Sequence, residues 1–348
     1  MSEQDGLREP DQLGGVLLPE QQGTVVGHTH VQEAIGRLLT AGRLPGGILL
    51  HGPQGIGKAT LAFATARAVL TATGDEDAHR VDEQVRSGSH PNLFVLRRQL
   101  NDTGRNYRTV IRVEQIRELR ERMHRTRGRA GHRLAIIDPI DDCNPSAANA
   151  LLKLLEEPPT ETMFLLVSHR PRALLPTIRS RCQSIALRPM PDGEVRTVLE
   201  GQRSHASPAA LDRAVELAEG RPRRGFEALE LSEGSAIGAL KGWLADPSRP
   251  PTAAHLLLAD GIAGGKDGAE QAFARDLLLD WIAAEARSAA QDRAQRARLA
   301  SANALWEKAS AAFADADEYN LDLRQTLIGI FDAIKRHVQP EASVAESR

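Results

Sequence analysis

Residues 51–70 read HGPQGIGKATLAFATARAVL, and they decide the fold because they carry most of a phosphate-binding loop in its usual context. The motif is G-x-x-x-x-G-K-[ST], and Gly52, Gly57 and Lys58 occupy its glycine and lysine positions. An apolar run, GILLHG, precedes the loop, and a helical pattern follows it. In such a unit, backbone N–H groups cradle phosphates and the lysine reaches the outer phosphates. The alternative is a glycine turn that holds no nucleotide.

The sequence departs from the requirements of a nucleotide-hydrolysing site at two places. Ala59 stands where a serine or threonine would supply a hydroxyl ligand to Mg²⁺. Thr60 is the next residue, but one step along a helix rotates a side chain by about 100°, so we expect it to point away from the metal. In LAIIDPIDDCN, Asp138 fits the metal-site acid at a strand end, but Pro139 replaces the glutamate that would orient water. Hydrolysis by this chain is therefore predicted to be weak or absent.

Short apolar runs alternate with amphipathic helical stretches up to about residue 187, which predicts an α/β domain with a parallel sheet. The best-signalled helix spans 144–157, with Asn144 as its cap and Pro145 in its first turn. The predicted strands are 48–51, 93–96, 133–138, 163–168 and 184–187.

The rest of the chain reads as helices. After the Pro-rich RPMPDGE comes a short helical segment, and later helices carry apolar stripes, such as Leu323, Leu327, Ile330 and Ile334 in the last one. We predict a P-loop domain over 1–188, a helical lid over 189–235, an all-α domain over 236–340 and a disordered tail over 341–348.

Composition narrows the class of protein. The chain has 348 residues, enough for two or three domains, and a formal net charge of −2, which excludes a uniformly basic nucleic-acid binder. The two cysteines, Cys143 and Cys182, lack a metal or disulfide spacing and indicate a reducing compartment, the cytoplasm. No apolar run is long enough to span a membrane, and the polar start does not resemble a secretion signal.

A basic segment, IRELRERMHRTRGRAGHR, lacks acids in its second half. Arg125, Arg127 and Arg129 are the candidates there for contact with a DNA backbone. The alternative is an ordinary solvated charged face, which is the commoner role of a charge run.

Residues 144–190, NPSAANALLKLLEEPPTETMFLLVSHRPRALLPTIRSRCQSIALRPM, resemble the central part of the clamp-loader AAA+ ATPases. The strings ALLKLLEEPP and IRSRC are the closest matches. Together with the start GHTHVQEAIGRLLTAGRLPGGILLHGPQGIGK and the helical end, they make the chain similar to the delta-prime family of bacterial DNA polymerase III clamp-loader subunits.

This resemblance implies an AAA+ domain, a lid and a helical collar that joins delta and gamma or tau chains in an open ring, which loads the sliding clamp on primed DNA. Delta-prime subunits are rigid stators with a decayed nucleotide site, so no cofactor is required and ATP or ADP would bind weakly at most. The family's serine-arginine-cysteine motif matches Ser180, Arg181 and Cys182. The resemblance implies that Arg181 reaches the γ-phosphate of a neighbour's ATP.

The resemblance also completes the predicted nucleotide site. Arg223 in GRPRRG is the candidate for the second sensor position, and Ser168 lies near the first. Many relatives hold zinc in a cysteine module, but the matching stretch here has only His79 and His90, so no metal site is predicted. The degenerate site would comprise Gly52, Gly55, Gly57, Lys58, Ala59, Thr60, Asp138 and Arg223.

Two other functions remain as alternatives. An active gamma/tau-like ATPase motor subunit would need the hydroxyl and the glutamate that Ala59 and Pro139 replace. A small-molecule kinase would need an acceptor site, and the sequence offers no acid–base constellation for one.

Overall fold

The computed structural model describes residue 9 and residues 12–125, 129–232, 234–249, 253–265 and 268–339. The chain divides into two compact units, Met1–Leu229 and Glu230–Arg348. The predicted P-loop domain (1–188) and most of the predicted lid (189–235) fall in the first unit. The predicted tail lies outside the described residues.

A five-stranded parallel sheet forms the centre of the first unit. Its spatial order is β2-β3-β4-β1-β5, so the chain crosses over the sheet between successive strands. The prediction of a parallel α/β sheet is confirmed, and each predicted strand end lies within one residue of the observed one. The strands are β1 (Gly47–His51), β2 (Leu93–Leu96), β3 (Arg133–Ile137), β4 (Thr162–Ser168) and β5 (Gln183–Ala186).

Helices cover both faces of this sheet, because successive strand residues point to opposite sides. Leu50, Leu165 and Val167 belong to one apolar cluster, which also contains residues of α1, α2 and α3. Leu49 and Phe164 belong to the other, with residues of α4, α5 and α6. These helices are α1 (Thr29–Thr40), α2 (Lys58–Thr73), α3 (Ala78–Arg86), α4 (Val113–His124), α5 (Pro145–Glu156) and α6 (Pro176–Arg181).

Local sequence signals explain where α5 begins and ends. The side chain of Asn144 accepts a hydrogen bond from the backbone N–H of Ala147 at 2.8 Å, and Pro145 occupies the first helical position. Pro158 and Pro159 follow the helix and prevent its continuation. Three further helices follow, and the last residue of the third begins the second unit: α7 (Asp192–Gln202), α8 (Pro208–Ala218) and α9 (Pro222–Glu230).

The described residues of the second unit form five α-helices after α9 and one short 3₁₀ helix. The last helix buries Leu327, Ile330 and Ile334 of its predicted stripe, while Leu323 is only partly covered. No helix among the described residues is both long and apolar enough to cross a bilayer. The five are α10 (Ile237–Ala245), α11 (Ala254–Ala263), α12 (Gly268–Gln291), α13 (Arg296–Tyr319) and α14 (Leu323–Val338).

Candidate functional site

The phosphate-binding loop connects the carboxyl end of β1 to the first residue of α2. Gly55 and Gly57 have φ values of +81° and +89°, a conformation that favours glycine. Gly55 also lies against α9, because a Cβ atom there would be 2.7 Å from the Cβ of Arg223. The backbone N–H of Arg223 donates to the carbonyl of Gly55 at 3.2 Å. Arg223, predicted as a second-sensor residue, is therefore brought to the loop.

Lys58 is buried and bonded to its own loop. Its Nζ donates to the carbonyl oxygens of Gly52 and Pro53, at 2.8 Å and 2.5 Å. Burial lowers the pKa of Lys58 to about 7, although the negative charges of Asp138 and Asp141 oppose this shift. The amine is thus close to half-protonated near neutral pH, and a phosphate in the loop would favour its charged form.

The position after Lys58 offers no oxygen ligand. Ala59 lies in the first turn of α2 and lines the cavity beside the loop, as does Thr60. The predicted orientation of the Thr60 hydroxyl away from a metal stays a prediction. A divalent ion at this loop would lack its usual hydroxyl ligand from the position after the lysine.

Asp138 forms an ion pair with an arginine that no motif in the sequence marks. Arg97 follows β2, and its Nε lies 3.2 Å from Oδ2 of Asp138. The same guanidinium binds Glu9 and Glu20 at 2.8 Å and 2.9 Å. Burial lowers the pKa of Arg97, but the hydrogen bond to Glu20 and the charges of the three acids outweigh burial and raise it. Asp138 is therefore already paired with a permanent cation, which lowers its capacity to attract Mg²⁺.

Asp141 ties the loop after β3 to the end of β4. It accepts hydrogen bonds from the hydroxyl of Ser168 at 3.1 Å and from the backbone N–H groups of His169 and Arg170 at 2.7 and 2.9 Å. Ser168, near the predicted first-sensor position, is fully buried. Its hydroxyl is used in this internal contact, which fixes the strand end next to the phosphate-binding loop.

A cavity of about 570 Å³ lies beside the loop. It is lined by the loop, by α7 and α9, and by a segment preceding α1 that the sequence did not connect with the site. Gln202 of α7 accepts a hydrogen bond from the backbone N–H of Leu17 at 2.9 Å, and Arg203 donates to the carbonyls of Gly14 and Gly15. The end of α7 therefore holds this segment across the cavity.

Arg181 lies near the amino ends of the strands, whereas the phosphate-binding loop lies at their carboxyl ends. It precedes β5, whose first residue, Gln183, pairs with Ile48 near the start of β1, whereas the phosphate-binding loop follows the end of β1. The two sites are separated by the length of a five-residue strand, about 15 Å. Arg181 is therefore not a residue of the cavity in its own chain.

The side chain of Arg181 is 35% exposed, and two contacts hold its guanidinium. Nη1 donates to the carbonyl of Thr177 at 3.1 Å, and Nη2 lies 2.5 Å from Oε1 of Glu156. Ser180 is exposed and donates to the same carbonyl at 3.0 Å. Cys182 is buried, and burial raises the pKa of its thiol to about 11, consistent with a role in packing.

The basic segment is described only in part. Arg125 is exposed, and Arg127 lies outside the described residues. Arg129 is partly buried, and its Nη1 lies 2.5 Å from a carboxylate oxygen of Glu76. Contact of these arginines with DNA stays a prediction. Within the described ranges there is no group of histidine, cysteine and acidic side chains suited to a metal ion.

The parallel sheet of this order, with a glycine loop after its β1 strand and helices against that loop, defines the P-loop AAA+ class of protein. The family described as "DNA polymerase III, delta subunit" matches residues 27–191. This match, together with the relatives below, confirms the resemblance of this segment to the delta-prime family of DNA polymerase III subunits that was stated from the sequence.

Individual relatives agree with this family. The delta-prime subunit of Pseudomonas aeruginosa is 36% identical over 179 residues, 50% of this chain and 52% of that protein. The delta-prime subunit of Escherichia coli is 31% identical over 186 residues, 52% of this chain and 54% of that protein. The tau subunit of E. coli is 31% identical over 226 residues, 62% of this chain and 33% of its own length. The chain spans about half the length of the delta-prime relatives.

Among solved structures, the RuvB Holliday junction branch migration motor of Thermotoga maritima matches with a TM-score of 0.44 and 15% identity, covering 76% of this chain and 80% of RuvB. A DNA polymerase III gamma-subunit-related protein from the same organism matches with a TM-score of 0.40 and 15% identity, covering 87% and 99%. At these scores, the fold assignment depends on the strand order and the loop described above.

Proposed function

We propose that this chain is a delta-prime-like stator of the replicative clamp loader, which helps to load the sliding clamp on primed DNA. In this role it supplies Arg181 to the ATP site of a neighbouring gamma or tau subunit. The observation that carries the proposal is the location of Arg181. It is exposed at the amino edge of the sheet, one strand length away from its own cavity. A cation placed there can serve a nucleotide only if that nucleotide is bound by another chain.

Three features support a small or absent ATPase activity of the chain itself. Ala59 provides no ligand for Mg²⁺, Pro139 provides no carboxylate to orient water, and Asp138 is paired with Arg97. In an active site, the hydroxyl, the water-orienting carboxylate and the aspartate at these three positions act on the metal or on the attacking water, so all three features impair the same hydrolytic step. Any ATP or ADP in the cavity would then be bound weakly and serve no catalytic purpose.

A gamma/tau-like motor subunit is the second candidate, because the match to E. coli tau extends over 62% of this chain. The same three features oppose it. A motor must close a metal site around its own nucleotide, and this loop lacks the hydroxyl for doing so. The stator role is therefore the better supported of the two.

The partners proposed for this chain are gamma or tau and delta, with the clamp and primed DNA reached through the assembly, in the cytoplasm. The second unit is proposed as the collar. Its helices expose large apolar side chains, including Leu257 at 73% and Trp306 at 46%. Exposed apolar side chains that form a contiguous patch are typical of surfaces that meet another protein.

The test is a reconstituted loader of this chain with gamma or tau and delta, assayed for clamp- and DNA-stimulated ATPase. With Arg181→Ala, we expect the complex to assemble and the turnover at the neighbouring site to fall by at least about tenfold, because transition-state charge on the phosphate loses its counter-charge. Arg181→Lys should recover little, because lysine lacks the planar fork of donors.

Arg179→Ala is the matched control, since Arg179 is an exposed residue of the same helix and two positions away, on a different face. Turnover of the Arg181→Ala complex equal to that of the parent, in fully assembled particles, would show that Arg181 is an ordinary surface arginine.

A further inference from the structure

Arg181 is anchored by a side chain from a different helix. Glu156 is the last residue of α5, and Arg181 is the last residue of α6. Their side chains are 40% and 35% exposed, so the pair lies at the surface with one side facing solvent. The contact places Oε1 of Glu156 2.5 Å from Nη2 of Arg181.

The two anchors of the guanidinium have different consequences. The carbonyl of Thr177 lies four residues earlier on the same helix, and it accepts from Nη1. By itself this bond leaves the guanidinium free to swing about one point. Glu156 binds the other terminal nitrogen from a separate helix. Two bonds to Nη1 and Nη2 fix the plane of the group.

An arginine has five N–H donors, so the two anchors leave three for another partner. A long side chain loses much rotational freedom when it binds a phosphate, and a side chain that is already fixed loses less. Anchoring therefore favours the step in which the guanidinium meets phosphate oxygens in one defined geometry.

We propose that Glu156 is a positioning residue for Arg181 and presents its guanidinium to the phosphate of the neighbouring subunit's nucleotide. This inference depends on the proposed function, because it needs Arg181 to act in trans. Glu156 touches neither nucleotide nor metal and acts only through the arginine. A half-exposed ion pair is weak, and it does not compete strongly with a multiply charged phosphate. Loss of Glu156 should therefore slow ATP hydrolysis at the neighbouring site and should not speed it by freeing Arg181.

The experiment uses the reconstituted loader with Glu156→Ala and Glu156→Gln. For Glu156→Ala we expect kcat for clamp- and DNA-stimulated ATP hydrolysis to fall about three- to tenfold with KM for ATP unchanged, because Arg181 acts on charge that develops in the transition state. Glu156→Gln keeps an oxygen acceptor at the same place and should recover most of the rate. A role in folding alone would not produce this division between kcat and KM.

Glu157→Ala is the matched control, because Glu157 is the neighbouring exposed carboxylate. The double variant of Glu156→Ala and Arg181→Ala should be no slower than Arg181→Ala alone, since the glutamate acts through the arginine. Circular dichroism and assembly of each complex are measured first.

The outcomes separate the two proposals. If Arg181→Ala is slow but Glu156→Ala hydrolyses at the parent rate, only the positioning role is overturned. If Glu156→Ala is faster than the parent, the glutamate is a restraint on Arg181 and the inference is wrong in sign. If Arg181→Ala itself has the parent rate, the trans role fails and the inference fails with it.

Discussion

Replacing Lys58 by methionine should remove a pH-dependent part of the stability of the first unit. The Lys58 amine is buried against the carbonyls of Gly52 and Pro53, and its pKa falls from an ordinary value of 10.5 to about 7. Methionine has a similar length and no charge, so it fills the same space without a proton to bind.

The direction and size of the change in stability with pH follow from the lowered pKa of Lys58. Between pH 7 and pH 9 the unfolded chain carries a proton on Lys58 that the folded chain has released, so stability rises with pH in this window. Below about pH 7 the amine is charged in both states, and the full cost of burying it remains. One pH unit corresponds to about 1.4 kcal/mol, so the parent should gain about 2 kcal/mol relative to Lys58→Met between pH 7 and pH 9. For a unit of this size, that is roughly 4–8 °C in Tm.

The assay is thermal unfolding of both proteins at pH 7, 8 and 9. All three tryptophans, Trp243, Trp281 and Trp306, lie in the second unit, so their fluorescence follows that unit alone, while far-ultraviolet circular dichroism follows both. The pH-dependent difference should appear in the dichroism and be absent from the fluorescence.

Lys153→Met controls for the loss of an exposed lysine. Burial and the charge of Lys58 lower the pKa of His51, so this neighbour stays neutral throughout the window. Parallel curves for parent and Lys58→Met across pH 7–9 would refute the reasoning and show that Lys58 keeps its proton in the folded loop.

Three further predictions concern the same unit. Ala59→Thr should not give the isolated chain measurable ATP turnover, because Pro139 still leaves the water without a base; steady-state hydrolysis at saturating Mg²⁺ checks this, and motor-like turnover would contradict it. Gly55→Ala should lower the Tm of the first unit, since its Cβ would meet the Cβ of Arg223 at 2.7 Å in a φ region that alanine rarely adopts; an unchanged melting curve would mean that α9 moves away freely. Cys182 should resist thiol-modifying reagents at pH 7 in the folded protein, because burial raises its pKa to about 11, and rapid labelling before unfolding would contradict this.

The sheet could be predicted from the sequence because its signals are local. Strands β1 to β4 are short, largely apolar runs that are mostly buried, and the run at 163–168 is buried along its whole length, whereas β5 is mostly exposed. The limits of α5 were predictable for the same reason, since Asn144 caps the helix from within four residues and prolines end it. Boundaries shifted by one residue where strand pairing extends past the apolar run, as at Gly47 and Thr162.

The partners of the site residues could not be predicted, because they come from distant parts of the chain. Arg97 and Asp138 are 41 residues apart, and the segment near Leu17 is 185 residues from Gln202. Charged residues are common throughout the sequence, and no periodicity distinguishes the ones that pair. The motif identified Arg181, but only the packing of α5 beside α6 shows that Glu156 is the residue that holds it.

Different interactions stabilise the structure at the two ends of the parallel strands. At the carboxyl edge, the loop depends on ion pairs and on a buried amine, which respond to ligands and pH. At the amino edge, Gly47 leaves room for close packing: a Cβ atom there would lie 3.0 Å from the Sγ of Cys182 and 3.3 Å from a methyl group of Leu155. The backbone around Arg181 is therefore set by apolar contacts with β1 and α5, and those contacts do not depend on a nucleotide. A chain that has lost the groups for binding Mg²⁺ can still hold its arginine in one place.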